Sequence, residues 1–272
     1  MTNLLLAAIL FFSGLGNTNI KVQYQLIFCP DSTDLNRKME EDFFLDIKAM
    51  KQSFFYSENF GKTDSIKALI NSGKLSPQEY MADPKYRFKT MFNQFTTKNY
   101  ADRSAETVEK ILFNQFLFPV EAKLKWTITE ETDTISGFVC TKATTSYAGR
   151  DYVAWFTMVV PVADGPYVFW GLPGLVVQVG DTKEHYVFTL SALSNSDLKI
   201  KDSYALNRTG ELLKTNRNKA FELREDARIN GLGAMERSTG RSMDKLTLNG
   251  ESMNREQQKR KRAWNNNPLE LQ

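Results

Sequence analysis

Val22, Tyr24, Leu26 and Phe28 alternate with Gln23, Gln25 and Ile27. A period near two predicts a strand with one buried face. Residues 43–47 and 53–56 are further short apolar segments, and the polar stretch 30–34, between the first strand and 43–47, reads as a loop. The pattern then changes. Residues 64–70 suit a short helix, with Asn71, Ser72 and Gly73 as its stop. Ser76, Pro77 and Glu79 follow as an N-cap, a first-turn proline and a first-turn acid. From 88 to 193 strand patterns return, at 92–95, 108–118, 122–128, 135–144, 152–160, 175–179 and 186–193. Turns are expected at 131–133, 147–150 and 180–183.

Sequential strands joined by short turns are antiparallel neighbours, because parallel pairs need long crossovers. The expected fold is mainly β (α+β): a twisted antiparallel meander or half-barrel with a helical insertion near 63–86 and a polar C-terminal tail. Residues 21–205 form the β-rich domain in this scheme, and 206–272 a weakly structured extension. Within that extension Arg255, Lys259, Arg260, Lys261 and Arg262 make a basic run, which reads as a solvated tail. Residues 4–12 are continuously apolar and precede Ser13, Gly14 and Gly16. They predict a secretory signal within 1–20, although no Lys or Arg precedes the run. The run is too short for a transmembrane helix.

Composition sharpens this only in places. Nineteen Phe and ten Tyr can fill a large core, and a net charge of +3 makes no case for nucleic acid. The two cysteines, Cys29 and Cys140, admit one disulfide in an exported chain or a pair of buried thiols.

The sequence offers little catalytic chemistry. His185 is the one histidine, and it is expected at a strand edge without a nucleophile motif beside it. No spacing suits a zinc site or a phosphate-cradling loop, so no metal or cofactor is expected. What stands out is a cluster of aromatics with one arginine: Arg150, Tyr152, Trp155 and Trp170. An arginine amid rings can hold a carboxylate or stack. These four are the candidate ligand-binding residues, and the bland alternative is a core with Arg150 paired to a local acid. Gly171, Leu172, Pro173 and Gly174 form a tight corner before an apolar strand, where proline and glycine fix an unusual backbone path.

The motifs Trp126-Thr127-Ile128, Gly149-Arg150-Asp151-Tyr152, Gly165-Pro166-Tyr167, Gly171-Leu172-Pro173-Gly174-Leu175 and Asn267-Pro268-Leu269-Glu270-Leu271 together resemble the GLPGLI family. Val176 replaces that motif's final isoleucine. The resemblance implies an exported β-rich protein of certain Gram-negative bacteria, often encoded beside TonB-dependent outer-membrane receptors. It implies no activity, cofactor or catalytic residue. Two functions stay open. One is a non-enzymatic periplasmic or surface protein that binds a ligand or an envelope partner such as an outer-membrane receptor. The other is an envelope enzyme using carboxylates that the sequence does not pair. An apolar groove favours the first. Two converging acids, or His185 beside an acid, favour the second.

Overall fold

The computed structural model describes residues 19–121, 123–196, 212–240, 242, 246–248, 251–253, 256 and 266–270. Twelve strands form one mostly antiparallel open sheet. Its first half is the run β1 (Asn19–Phe28), β2 (Met39–Lys48), β3 (Gln52–Ser57), β4 (Gln94–Asn99), β5 (Ser104–Ile111) and β6 (Asn114–Pro119). The second half is β7 (Thr127–Ile135), β8 (Phe138–Tyr147), β9 (Arg150–Thr157), β10 (Leu175–Asp181) and β11 (Tyr186–Ser196). Each half is a meander. They are joined where β1 pairs with β11, so the first and last strands of the body lie side by side at the sheet's centre. A short strand, β12 (Leu212–Lys214), adds in parallel to β6. The three-residue strands β13 (Leu246–Leu248) and β14 (Glu251–Met253) make a separate hairpin.

The alternation in β1 is realised. Ile20, Val22, Tyr24, Leu26 and Phe28 are all buried on one face, each contributing roughly 1.5–3 kcal/mol. The helical insertion is α1 (Glu58–Asn71), capped by Ser57, and α2 (Pro77–Ala82), where Ser76 and Glu79 complete a reciprocal capping box.

Some expected boundaries move. The strand expected at 108–118 is broken at Leu112, which adopts φ 55° and turns the chain from β5 into β6. No turn forms at 131–133, because β7 runs through it with a bulge between Ile128 and Thr132. The turn lies at Ser136-Gly137, with φ 49° and 80°, the left-handed pair that a two-residue hairpin requires. Of the strand expected at 122–128 only the start of β7 forms; Ala122 lies outside the described residues, as do residues 1–18 of the expected signal and the basic residues Arg255 and 259–262.

The C-terminal stretch is not simply a tail. Helices α3 (Arg217–Ile229) and α4 (Gly231–Thr239) follow β12, and α3 packs on β5 and β6. Residues 266–270 then return to the core, with Asn267 4% and Glu270 2% exposed. The cysteines are free and buried. Cys29 Sγ donates to the Asp31 carbonyl at 3.0 Å, and burial pushes the Cys140 thiol up to about 11. The disulfide alternative is therefore not realised.

Candidate functional site

Antiparallel order brings the end of β1, the start of β11, the end of β10, the start of β9 and the end of β8 to one margin of the sheet. Arg150 opens β9 there and is 6% exposed. Its Nη1 donates to Asp181 Oδ2 at 3.1 Å. Its Nη2 donates to Asn267 Oδ1 and to the Pro268 carbonyl, both at 2.6 Å. The guanidinium lies 5.2 Å from the Tyr186 ring centre. The expected acid partner exists, but the aromatic neighbour is Tyr186.

Tyr152, two residues along the same face, donates to the Leu269 carbonyl at 3.2 Å. Trp155 points from the opposite face of β9, 5.9 Å beneath Lys142 Nζ. Trp170 packs on Tyr100, and its carbonyl accepts from Trp126 Nε1 at 2.9 Å. The four candidates thus divide: Arg150 and Tyr152 share one site, while Trp155 and Trp170 belong elsewhere.

Seven further residues complete that site: Tyr147, Tyr167, Tyr186, Arg217, Arg224, Asn267 and Glu270. Asn267 Nδ2 donates to the Cys29 carbonyl at 2.7 Å, and its backbone N–H to the Pro30 carbonyl at 3.0 Å. Tyr186 donates to the Asn267 carbonyl. Glu270 Oε1 accepts from Tyr167 at 2.5 Å and Tyr147 at 3.0 Å. Arg217 Nε lies 3.4 Å from Glu270 Oε1, and Arg224 Nη1 3.6 Å from Oε2. Burial alone would raise the Glu270 carboxyl. Arg224, Arg217 and the two tyrosine hydroxyls outweigh it and hold the group below the usual carboxylate range. Burial pushes the Tyr167 hydroxyl well up, and Glu270 adds to the effect, so it stays a donor.

Beside this seat is a cavity of about 450 Å³. Phe28, Met91, Phe92, Ile111 and Leu112 supply apolar wall, and Pro268, Leu269 and Glu270 close one side. Arg224 and Arg228 of α3 also line it. Arg224 grips Glu109 through two hydrogen bonds, at 2.7 and 2.8 Å. Two acids therefore approach one another, but around an arginine. His185 Nδ1 does lie 3.9 Å from Asp181 Oδ2. Arg150 Nη1, however, sits 3.3 Å from that nitrogen and already holds the carboxylate. Both arrangements that would suggest acid–base chemistry are occupied by guanidinium groups.

The Gly-Leu-Pro-Gly corner lies at the opposite margin of the sheet, where β10 begins beside the end of β9. Leu172 is buried, and a Cβ on Gly174 would come within 2.1 Å of the Thr157 carbonyl oxygen. The loop that carries the corner is anchored by Asp164, whose carboxylate is fully buried. It accepts from Lys98 Nζ at 2.5 Å and from the Ser53 and Tyr100 hydroxyls. Tyr24 pins the exit strand by donating to the Val176 carbonyl at 2.6 Å.

Among the described residues, no group of acids, histidine and cysteine could hold a metal ion, and no helix is long and apolar enough to cross a membrane. No curated protein matches the sequence. The fold is similar to that of PNGF-II, with a TM-score of 0.50 and 14% identity over 78% of this chain. The match spans 33% of the PNGF-II chain, so this chain corresponds to about a third of that structure. A putative outer membrane lipoprotein-sorting protein domain from Vibrio parahaemolyticus matches with a TM-score of 0.31 and 5% identity, over 76% of this chain and 95% of that one. Residues 149–178, which carry Arg150, Tyr152 and the Gly-Leu-Pro-Gly corner, match over this short stretch the family model described as a protein of unknown function (Porph_ging), which is the model of the GLPGLI family.

Proposed function

We propose that the protein is a non-enzymatic binding protein of the cell envelope, and that the cavity beside residues 268–270 is its ligand site. The observation that carries this reading is the cavity's lining: aromatic and aliphatic wall on one side, Arg224 and Arg228 on the other. A volume of about 450 Å³ suits a small organic ligand. The lining suits a molecule with an apolar body and a polar group, since Arg224 and Arg228 are set among the Glu109, Glu225 and Glu270 carboxylates that also line it. The envelope assignment rests on the GLPGLI signature. Export with removal of the segment before about Lys21, and a TonB-dependent receptor as partner, are the parts of the proposal that the family resemblance carries.

The test is a titration of the full chain with anilinonaphthalene sulfonate, an apolar ring system bearing one anion. We expect one site per chain, displaced by a fatty acid and lost in Ile111→Trp, which fills the cavity. Binding unaffected by that substitution would overturn the cavity assignment. N-terminal sequencing of protein from its host tests the export step; an intact Met1 on protein in the cytosol would remove it. Turnover of ester, peptide or glycoside substrates that vanishes in His185→Ala would replace this reading with the enzyme.

A further inference from the structure

We propose that the seat at the sheet margin is a recognition site for an extended acidic peptide segment, held in cis by residues 266–270 and able to take the same chemistry in trans. This goes beyond the cavity reading and shares Tyr167, Tyr186, Arg224 and residues 268–270 with it.

Three observations carry the inference. The first is the mode of contact. Arg150, Tyr152 and Tyr186 each donate to a main-chain carbonyl of the segment, at Pro268, Leu269 and Asn267. Carbonyls of Cys29 and Pro30 accept from Asn267. The segment has no helix or strand of its own. A chain held by its backbone, with side-chain pockets at two positions, is gripped as a peptide ligand is gripped.

The second is selectivity. Asn267 uses both ends of its amide, accepting from Arg150 and donating to Cys29. Three residues later Glu270 enters a pocket built from Tyr147, Tyr167, Arg217 and Arg224. The seat therefore specifies an asparagine followed three positions on by a carboxylate. Charge complements the choice, since arginines surround the acid.

The third is an incomplete fit. Among the described residues three buried side-chain polar atoms have no hydrogen-bond partner. One of them, Arg150 Nε, belongs to the seat, while Glu270 Oε2 is on the segment itself, 3.6 Å from Arg224 Nη1. Native interiors leave few such groups, and each that persists calls for an explanation. The seat can satisfy a further acceptor that the cis segment does not bring.

The experiment uses the full chain and a fluorescein-labelled peptide of sequence Asn-Asn-Pro-Leu-Glu-Leu, read by anisotropy. Wild type should bind it weakly, because its own segment competes. Asn267→Ala/Glu270→Ala should bind at least tenfold more tightly. Replacing the peptide's Glu by Gln, or adding Arg150→Lys to the double variant, should cost tenfold or more. Sedimentation of wild type at rising concentration asks whether a second copy supplies the segment in trans: a dimer that the peptide dissolves sustains that exchange, and a chain that stays monomeric refutes it. A folded double variant that binds no peptide overturns it. If the double variant does not fold, hydrogen exchange of wild type decides. Amides at 269–270 that exchange well before those of β1 and β11 sustain the proposal; exchange only with the core refutes it. Anilinonaphthalene sulfonate titration reports on the cavity independently, so failure of one reading is not failure of the other.

Discussion

At Gly174 the constraint is a close approach rather than a dihedral angle. A Cβ there would sit 2.1 Å from one carbonyl oxygen and 3.1 Å from the Met158 nitrogen. Those are backbone atoms and cannot turn aside as a side chain would. Gly174→Val is expected to cost about 3 kcal/mol or more, seen as a large fall in melting temperature; a melt unchanged within two degrees would refute the constraint. The glycine and proline spacing made this corner legible in the sequence. Arg150 was half legible. A guanidinium on an apolar strand announces a buried partner, but its partners Asp181, Asn267 and Pro268 lie 31 to 118 residues away. No local pattern encodes such distances. Trp155 was drawn into the candidate site by its nearness in sequence, which strand alternation then undid. Ala49 and Met50 mark another limit. Both have positive φ, 46° and 52°, in a hairpin turn with neither glycine nor asparagine, so turn composition could not reveal it.

Elements with a strong internal pattern were the readable ones. The alternation of β1 and the capping box of α2 need nothing beyond their own residues. Residues 266–270 have no period and few apolar side chains, and such a stretch reads as solvated tail. Its burial comes from hydrogen bonds supplied by other elements. The element also has a pH signature. Docked, the Glu270 carboxyl lies below its ordinary 4.5. A depressed folded value means docking is favoured by ionisation. That contribution is fully present above pH ~4.5 and is lost as pH falls through the docked value. We expect the Asn267 side-chain amide resonances to move toward solvent-exposed positions as pH falls below 4.5. The titrating group is flanked by Arg217 and Arg224 of α3, Tyr147 of β8 and Tyr167. Glu270→Gln should abolish the transition, and a shift that persists in that variant would assign it to another group.

On the scale of the whole molecule, the sheet is two local meanders closed by one distant pairing. Phe28 faces Tyr186 and Asn19 faces Ser196, separations of 158 and 177 residues. The hairpins within each half close short loops, whereas this seam closes nearly the whole body, and such contacts form slowly. Without β11 the apolar face of β1 loses Phe188 and Leu190 from the same core. A chain ending at Asp181 should therefore show no cooperative thermal transition, and a sharp melt in that truncation would mean the first meander folds alone. The seam also sets a clock on synthesis. The amino-terminal strand cannot find its central partner until about residue 196 has left the ribosome, roughly ten seconds or more after the strand itself appears. During that interval the chain has no finished fold to be undone, which is the condition that passage through a membrane in unfolded form demands.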